Sequence, residues 1–572
     1  MKSHTVPMKS VRLLIALFAC LGLMGNSTMS YAQRGEFGAF GTSPTGNFLA
    51  GRQALNQLDT GSAASFLVYA TNDEWDNYTI VERAFGALAA NGQIDDADTL
   101  ARHLLELEPD YSLAHLLVGT VALKERRYAS ADKELSAVGL QDFIGITAAV
   151  LRAWTDIGRG DFNKAMSQLD DLSSVGLDDF LVFHRAMMAD AVNNLSAIDY
   201  MARAYKTDPL VPNIVSAYVH MLGNAGRFDE AKAVLDAYTA QGLAQKAVTS
   251  LYEPIEQHQL PGKYAADIAA GASEVYRGIG AALARDGAPD VAMVFLRLAL
   301  YLNPDADVVR LTIAQLYEQL DQYDEANAIY DAISPRSIYK PEAVVQLAAN
   351  LDKEGDRSEA IRRLKNMVQI EPDNIEAISS LADLLRFDKQ FAEAQPYYSK
   401  LIELSGGNHP GDWLYYYLRG ICYERTKDWP LAEADFLKAL DLRPDQAQVL
   451  NYLGYSWVDR GENLDRALGM IEKAVRQSPS DGYIVDSLGW AFFKLGRIDE
   501  AVSVLEQAVH LEPNDPEIND HLGDAYWKAG REREARFQWR IAIDVDETGD
   551  VTERATPKLE HGLTGEEGDS PS

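Results

Sequence analysis

The stretch GRIDEAVSVLEQAVHLEPND, residues 496–515, recurs along the chain in altered copies. It returns as GDRSEAIRRLKNMVQIEPDN from residue 355 and as GAPDVAMVFLRLALYLNPDA from residue 287. The alanine after the opening turn marks each copy, and neighbouring markers are mostly 34 residues apart. The markers are Ala97, Ala131, Ala165, Ala197, Ala231, Ala292, Ala326, Ala360, Ala394, Ala432, Ala467, Ala501 and Ala535. A fixed period of this length is typical of proteins built from stacked repeats.

Each copy has the pattern of two helices joined by a tight turn. Apolar residues recur three and four positions apart over residues 484–495 and again over residues 499–511, which is the spacing of an amphipathic helix. Gly496 between them can adopt the left-handed conformation that ends a helix. Pro513 stops the second helix because proline lacks an amide hydrogen. A small residue twelve positions before the marker, such as Gly489, is expected to let the two helices cross closely.

The 34-residue period, the small residues and the closing proline together resemble the tetratricopeptide repeat. The resemblance covers about residues 46–545, and the runs NYLGYSWVDRGENLDRA and DSLGWAFFKLGRIDEA are also similar to exported repeat proteins of Gram-negative bacteria. It implies an all-α fold, a superhelical solenoid of about 14 helix-turn-helix units in two blocks. In such a solenoid each repeat contacts only its neighbours.

The spacing of the markers predicts how the chain is divided. One gap of 61 residues, between Ala231 and Ala292, separates two blocks of repeats and contains either an irregular connector or a worn repeat. The predicted segments are a signal peptide at 1–32, a flexible linker at 33–45, an N-terminal block at 46–253, a connector at 254–270, a C-terminal block at 271–545 and a tail at 546–572. The tail is acidic and poor in apolar residues, so we expect it to be disordered.

The first 32 residues have the order of charge and hydropathy of a secretory signal peptide. Three basic residues precede an apolar run at residues 13–24, and Ser30-Tyr31-Ala32 places small residues where a signal peptidase cuts. We predict cleavage before Gln33 and a periplasmic location. Two alternatives stay open, a lipoprotein cut before Cys20 and an uncleaved anchor.

Charge and missing motifs narrow the class of activity. The full chain has a formal net charge of −32, so we expect it to repel nucleic acid and anionic lipid and to favour basic or mixed partners. Cys422 lies in a predicted helix, where a small buried side chain is the usual role. The sequence contains no phosphate loop, zinc-protease motif or serine-hydrolase elbow. We therefore predict no enzymatic activity, no cofactor, no metal site and no membrane span after cleavage.

Without a catalytic constellation, the function is expected on a surface. In the family that the chain resembles, the first helices of the repeats line a concave groove, and the matching positions can be assigned repeat by repeat. The predicted groove residues are Asn451, Tyr455, Asp486, Trp490, Lys494, Asp520, Asp524 and Trp527. Aromatic side chains beside carboxylates suit the capture of an extended or helical peptide, because the rings give contact area and the charges fix register.

These observations favour an exported, non-enzymatic scaffold that binds a partner peptide or protein in its concave groove. Three alternatives stay open. The chain could be an accessory factor for envelope assembly or for polysaccharide or protein secretion, a chaperone that holds clients, or a regulator of a neighbouring enzyme. Stacking of aromatic residues on sugars would favour the first, and promiscuous binding of unfolded chains would favour the second.

Overall fold

The computed structural model describes residues 43–72, 74–172 and 177–563, and every regular element in these ranges is helical. The predicted signal peptide, most of the predicted linker and residues 564–572 of the predicted tail lie outside the described residues. The all-α prediction is confirmed, and the number of repeat units, about 14, stays a prediction.

The chain divides between Asn350 and Leu351 into two compact bodies, named unit 1 and unit 2. Unit 1 contains α1 (Pro44–Asn56), α2 (Thr60–Thr71), α3 (Tyr78–Asn91), α4 (Ile94–Leu107), α5 (Ser112–Lys124), α6 (Tyr128–Ser136), α7 (Phe143–Gly158), α8 (Phe162–Asp171), α9 (Asp178–Ala191), α10 (Ala197–Thr207), α11 (Pro212–Asn224), α12 (Phe228–Thr239), α13 (Lys246–Thr249), α14 (Tyr252–Glu256), α15 (Ile268–Arg285), α16 (Pro289–Leu302), α17 (Asp307–Glu318) and α18 (Tyr323–Asp331). Helix α19 (Lys340–Lys353) crosses the division. Unit 2 contains α20 (Arg357–Ile370), α21 (Ile375–Phe387), α22 (Phe391–Ser405), a 3₁₀ turn (Pro410–Asp412), α23 (Trp413–Arg425), α24 (Trp429–Leu442), α25 (Ala447–Asp459), α26 (Leu464–Gln477), α27 (Gly482–Lys494), α28 (Ile498–Leu511), α29 (Pro516–Lys528), α30 (Glu532–Val545) and α31 (Asp550–His561).

The pair α27 and α28 illustrates why the repeated sequence folds as it does. The Asp481 side chain accepts a hydrogen bond from the backbone N–H of Ile484 and so caps the start of α27. Gly496 has a φ of +73° in the turn that follows α27. A Cβ at Gly489 would lie 2.5 Å from the Leu505 side chain of α28. Only a residue without a side chain fits there, as the sequence predicts.

Unit 1 departs from a simple stack, because its later helices fold back onto its earlier ones. Helix α15 packs on α7 and α9, and α16 packs on α3 and α5. The Lys124 ammonium at the end of α5 donates to the Leu302 carbonyl oxygen at 2.7 Å. Arg297 donates to the Ala90 carbonyl oxygen at 3.3 Å. The prediction that each repeat contacts only its neighbours is therefore wrong for unit 1.

Because of this packing, the boundary between the two bodies lies at a different point of the chain than the sequence predicts. The sequence places it in the connector at residues 254–270, whereas the structure places it after Asn350, because α15 and α16 are bound to the helices before the connector. The long gap between markers contains two short helices, α13 and α14, which pack on α11 and α12. Residues 257–267 after them have no helix.

The predicted disorder of the C-terminal tail is wrong for residues 550–561, which form α31. This helix packs on α29 and α30, with Val551 and Ala555 buried. The prediction of disorder rested on the acidic composition of the tail and overlooked a short amphipathic pattern, in which Val551 and Ala555 are four positions apart.

Candidate functional site

The surface of interest is formed by the residues that directly follow the small-residue position in the first helix of each repeat and by those one turn before it. We call this surface the first-helix face. In unit 1 it is occupied by residues 262–276 of the same chain. The Thr120 hydroxyl of α5 shares a hydrogen bond of 2.5 Å with the Tyr276 hydroxyl of α15. His220 of α11 lies with Nδ1 2.8 Å from the Gly262 carbonyl oxygen.

Trp154 of α7 is the central contact of this occupied face. A Cβ at Gly271 of α15 would lie 2.1 Å from the indole ring, so the ring packs directly against glycine backbone. The indole N–H donates to Nδ1 of His184 at 3.3 Å, and both side chains are fully buried. Burial and then the charge of Arg277 lower the pKa of His184 to about 3. His184 is therefore neutral at physiological pH.

In unit 2 the C-terminal part of the first-helix face is closed by α31. Asp520 and Asp524 of α29, both predicted to face a partner, are buried beneath this helix. The Lys558 ammonium lies 2.8 Å from a carboxylate oxygen of each. Arg554 adds a hydrogen bond of 3.0 Å to Asp520, and the Trp539 indole N–H donates to Asp524 at 2.9 Å. The prediction that Asp520 and Asp524 line an open groove is wrong, because α31 covers them and supplies the cations that neutralise them.

Asp486 of α27 is likewise buried, and it pairs with the imidazole of His521 at 3.0 Å. Nε2 of His521 lies 3.3 Å from Glu517, so the ring stands between two carboxylates. Burial alone would lower the pKa of His521, but these two carboxylates raise it to about 10. Burial alone would raise the pKa of Glu517, but His521 and Arg554 lower it to about 2. His521 is thus a buried cation at neutral pH, and the predicted role of Asp486 in a groove is wrong for the same reason as above.

The two predicted tryptophans are partly covered. The Trp490 ring stacks on His521 at 4.0 Å and on Phe493 at 4.7 Å between centroids, and its indole N–H has no hydrogen-bond partner within the described ranges. The Lys494 ammonium lies 5.6 Å from the centre of the same ring. Trp527 packs against the backbone of Gly562, where a Cβ would lie 2.0 Å from the indole. Trp490 is half-buried rather than an open platform.

The part of the face that stays open lies on α23 and α25. We call it the open strip and define it as Tyr417, Ile421 and Tyr455, all of which are partly exposed, as Trp490 is. Ile421 and Tyr455 directly follow the small residues of their helices, as Thr120 and Trp154 do in unit 1. Asn451 lies one turn before Tyr455, and its side-chain oxygen is buried without a hydrogen-bond partner among the residues that the structure covers.

Helix α23 itself is unusually exposed for a helix of its composition. Its thirteen residues include four tyrosines and one tryptophan, yet only Gly420 and Cys422 are buried. In α5, the corresponding first helix of unit 1, nine of thirteen residues are buried. Burial raises the pKa of the Cys422 thiol to about 12, so this cysteine is an unreactive core residue as predicted.

Charged groups of both signs flank the open strip. Glu424 accepts a hydrogen bond from the Tyr452 hydroxyl at 3.0 Å, and Arg425 beside it is exposed. Asp459 and Lys494 lie at the ends of α25 and α27, and both are half-exposed. Burial raises the pKa of Asp459, opposed by Lys494 and His521. The strip therefore combines an apolar centre with a polar rim of mixed sign, which is the anatomy of a protein-binding surface.

No group of three or more His, Cys, Asp or Glu side chains in residues 43–72, 74–172 and 177–563 could hold a metal ion. In the same ranges, no helix is both long enough and apolar enough to cross a bilayer.

Comparisons with known proteins agree with the repeat pattern. One family model for the TPR repeat matches residues 489–530, and two models for the tetratricopeptide repeat match residues 374–445 and 428–482. A TPR repeat-containing protein of Pseudomonas aeruginosa is 30% identical over 195 residues, which cover 34% of this chain and 32% of the relative. A UDP-N-acetylglucosamine–peptide N-acetylglucosaminyltransferase of Giardia intestinalis is 30% identical over 112 residues, 19% of this chain and 7% of that enzyme. The chain thus spans about a third of the length of the first relative and far less of the second.

Two solved structures are similar in their helical arrangement. A tetratricopeptide repeat protein of Parabacteroides merdae has a TM-score of 0.39 and 15% identity, covering 45% of this chain and 99% of its own. Yeast Tom70 has a TM-score of 0.34 and 14% identity, covering 91% of this chain and 95% of its own.

Proposed function

Because the chain belongs to the tetratricopeptide repeat family, we propose that it is a non-enzymatic scaffold that binds a partner protein or peptide on the open strip of unit 2. The observation that carries this proposal is the contrast between two matching surfaces of one chain. Residues 262–276 contact the first-helix face of unit 1, whereas Tyr417, Ile421 and Tyr455 at the same face of unit 2 stay partly exposed. A partly exposed aromatic surface on the first helices of the repeats supports a binding role.

The partner is expected to carry charges of both signs. The buried carboxylates of α27 and α29 are neutralised by His521, Arg554 and Lys558, so they do not attract a basic partner. The charged groups near the strip are acidic at Glu424 and Asp459 and basic at Arg425 and Lys494, and Arg425 pairs with Glu424 at 3.4 Å. Such a rim sets register and association rate more than affinity.

Site-specific photo-crosslinking tests where the partner sits. A photo-reactive phenylalanine analogue replaces Tyr455 in one variant and Phe537 in another, and both are expressed in the native host. Phe537 is the control because it is an aromatic residue of unit 2 that is 61% exposed on a second helix, α30. We expect one discrete adduct from position 455 that is absent from position 537. Adducts of equal yield at both positions would contradict the proposal.

Export through a cleaved signal peptide is part of the same proposal, and it rests on the basic, apolar and small-residue order of residues 1–32. We expect the mature protein, isolated from the periplasmic fraction, to begin at Gln33. A protein that begins with an acylated Cys20, or a full-length chain recovered from the cytoplasm, would contradict it.

A further inference from the structure

The loop between α2 and α3 of unit 1 carries an exposed tryptophan beside a polar hollow, which the proposed function does not use. Trp75 is 44% exposed. The hollow has a volume of about 560 Å³, and its lining residues are Asn72, Glu74, Trp75, Asp76 and Asn77. We propose that this hollow is a second binding site of the chain and that its ligand is a neutral saccharide. The site shares no residue with the open strip.

The indole ring of Trp75 is held in place from behind. It stacks on the imidazole of His103 in α4, with the ring centroids 4.4 Å apart and the planes 17° from parallel. Nε2 of His103 lies 2.9 Å from the Trp75 carbonyl oxygen, and Nδ1 lies 3.2 Å from a carboxylate oxygen of Glu106. The His103 side chain is only 11% exposed, so it covers one face of the indole and leaves the other face toward the solvent. A ring fixed in this way loses little conformational freedom when a ligand stacks on it.

The other four residues that line the hollow are amides and carboxylates, and all four are exposed. The amides of Asn72 and Asn77 offer both donors and acceptors, whereas the carboxylates of Glu74 and Asp76 offer acceptors. The Asn77 amide donates to a carboxylate oxygen of Glu74 at 3.3 Å, which orients these two side chains relative to each other. The hollow therefore places hydrogen-bonding groups of both kinds around one apolar face.

This combination of groups matches the surface of a pyranose ring. A sugar of a β-1,4-linked glucose or N-acetylglucosamine chain has C–H groups on its flat faces and hydroxyl groups along its edge. It can therefore stack on an aromatic face while its hydroxyls donate to and accept from the polar rim. The volume lies within the range of about 300–1,000 Å³ that is typical of small-molecule sites.

The same groups disfavour other classes of ligand. An apolar ligand would cover amides and carboxylates without giving them hydrogen-bond partners. An anionic ligand would be repelled by Glu74 and Asp76. An organic cation would use the indole face and the carboxylates, but it would leave the amides of Asn72 and Asn77 without a role. A neutral saccharide is the ligand class that uses all five lining residues.

Isothermal titration calorimetry of the full mature protein with cellotetraose and with chitotetraose tests the proposal. Trp75→Ala removes the indole, and Trp75→Phe keeps a smaller ring at the same place. The control variant is Tyr483→Ala, because Tyr483 is an aromatic residue of unit 2 that is 57% exposed and also lines a hollow, one of about 480 Å³. Choline chloride and tetragalacturonic acid are the control ligands for an organic cation and an anionic saccharide. Circular dichroism checks that each variant is folded.

We expect at least one of the two neutral tetrasaccharides to bind, Trp75→Ala to weaken this binding about tenfold or more, and Trp75→Phe to weaken it less. Tyr483→Ala should leave the binding unchanged. Failure of both tetrasaccharides to bind, or equal binding to the wild type and to Trp75→Ala, would overturn the proposal. Binding of choline or of tetragalacturonic acid as tight as that of the neutral saccharides would overturn it too, because the site would then recognise charge.

Discussion

Replacing Lys558 with methionine removes the charge that holds two buried carboxylates of α29 while keeping most of the side-chain volume. Lys558 is 6% exposed and its ammonium lies within 3.0 Å of oxygens of Asp520 and Asp524. Breaking a buried ion pair from one side costs about 3–5 kcal/mol, because the remaining charge is left without compensation. Arg554 and the Trp539 indole still contact the carboxylates, so we expect a loss near the lower end, about 3 kcal/mol at pH 8.

The pH dependence of this loss follows from Asp524. Burial and the neighbouring Asp520 raise its pKa to about 6, against the opposing effect of Lys558. Without Lys558 a proton on Asp524 relieves the uncompensated charge, so the variant should lose less stability at pH 5 than at pH 8.

Hydrogen exchange measured by mass spectrometry is the suitable assay, because a chain of two units does not unfold as one cooperative system. Amides of α29 to α31 should exchange faster in Lys558→Met, by the factor that corresponds to about 3 kcal/mol. The exposed Lys528→Met on the same repeat is the control and should stay within about 0.5 kcal/mol of wild type. If Lys558→Met at pH 8 matches this control, the buried ion cluster does not hold α31 in place and the reasoning is refuted.

Three other substitutions test separate parts of the structure. The pKa of His521 is higher in the folded than in the unfolded protein, so the stability that its charge contributes is complete below about pH 6.5 and falls by about 1.4 kcal/mol per pH unit as the pH rises toward 10. His521→Gln should abolish this pH dependence of the free energy of unfolding in urea titrations of unit 2. An unchanged pH dependence would contradict the assignment of His521 as a buried cation. Gly271→Leu should overpack the contact of α15 with α7, lower the free energy of unfolding by about 1–3 kcal/mol and shift tryptophan fluorescence to longer wavelength. The control Gly86→Ala, where a Cβ meets open space, should be neutral or slightly stabilising. Equal behaviour of the two variants would count against close packing at Gly271. Ala501 is fully buried, so Ala501→Leu should lower the free energy of unfolding by about 1–3 kcal/mol. Hydrogen exchange should become faster in residues 480–535 alone, because repeats pack locally. Faster exchange along the whole chain would contradict local packing.

The repeated local pattern was enough to predict the helices and their pairwise packing. A 34-residue period, a small residue such as Gly489 and a following turn glycine act through contacts within one repeat, and these contacts are present in α27 and α28. Such information is carried by a few residues close together in the sequence, so it can be predicted from one chain alone.

The return of α15 into unit 1 could not be predicted in the same way. Its contacts join residues about 120–160 positions apart, such as Thr120 with Tyr276, and a pattern repeated every 34 residues contains no signal for them. The one available hint was compositional. Helix α15 combines Gly271, Gly278 and Gly280 in one helix, and glycines inside a helix are usually retained where another element approaches closely.

The predicted site failed in part for a related reason. Polar residues at groove positions, such as Asp520 and Asp524, look the same in sequence whether they face a partner or a later helix of the chain. The cations that pair with Asp520 and Asp524 are Arg554 and Lys558, which lie four positions apart on one face of α31. The sequence around them is acidic, so this pair of basic residues did not stand out as a partner for the two carboxylates. Tyr455 and Asn451 are partly exposed and are not members of the ion cluster beneath α31.

The central claim is that a partner binds the open strip of unit 2 and not the first-helix face of unit 1. Hydrogen exchange of the mature protein, with and without the partner recovered by crosslinking at position 455, tests it most directly. The account predicts protection on binding in α23 and α25, residues 413–425 and 447–459, with exchange in α15 and α16 unchanged. Protection confined to α29–α31, or faster exchange in α15 as a partner displaces it, would contradict the account.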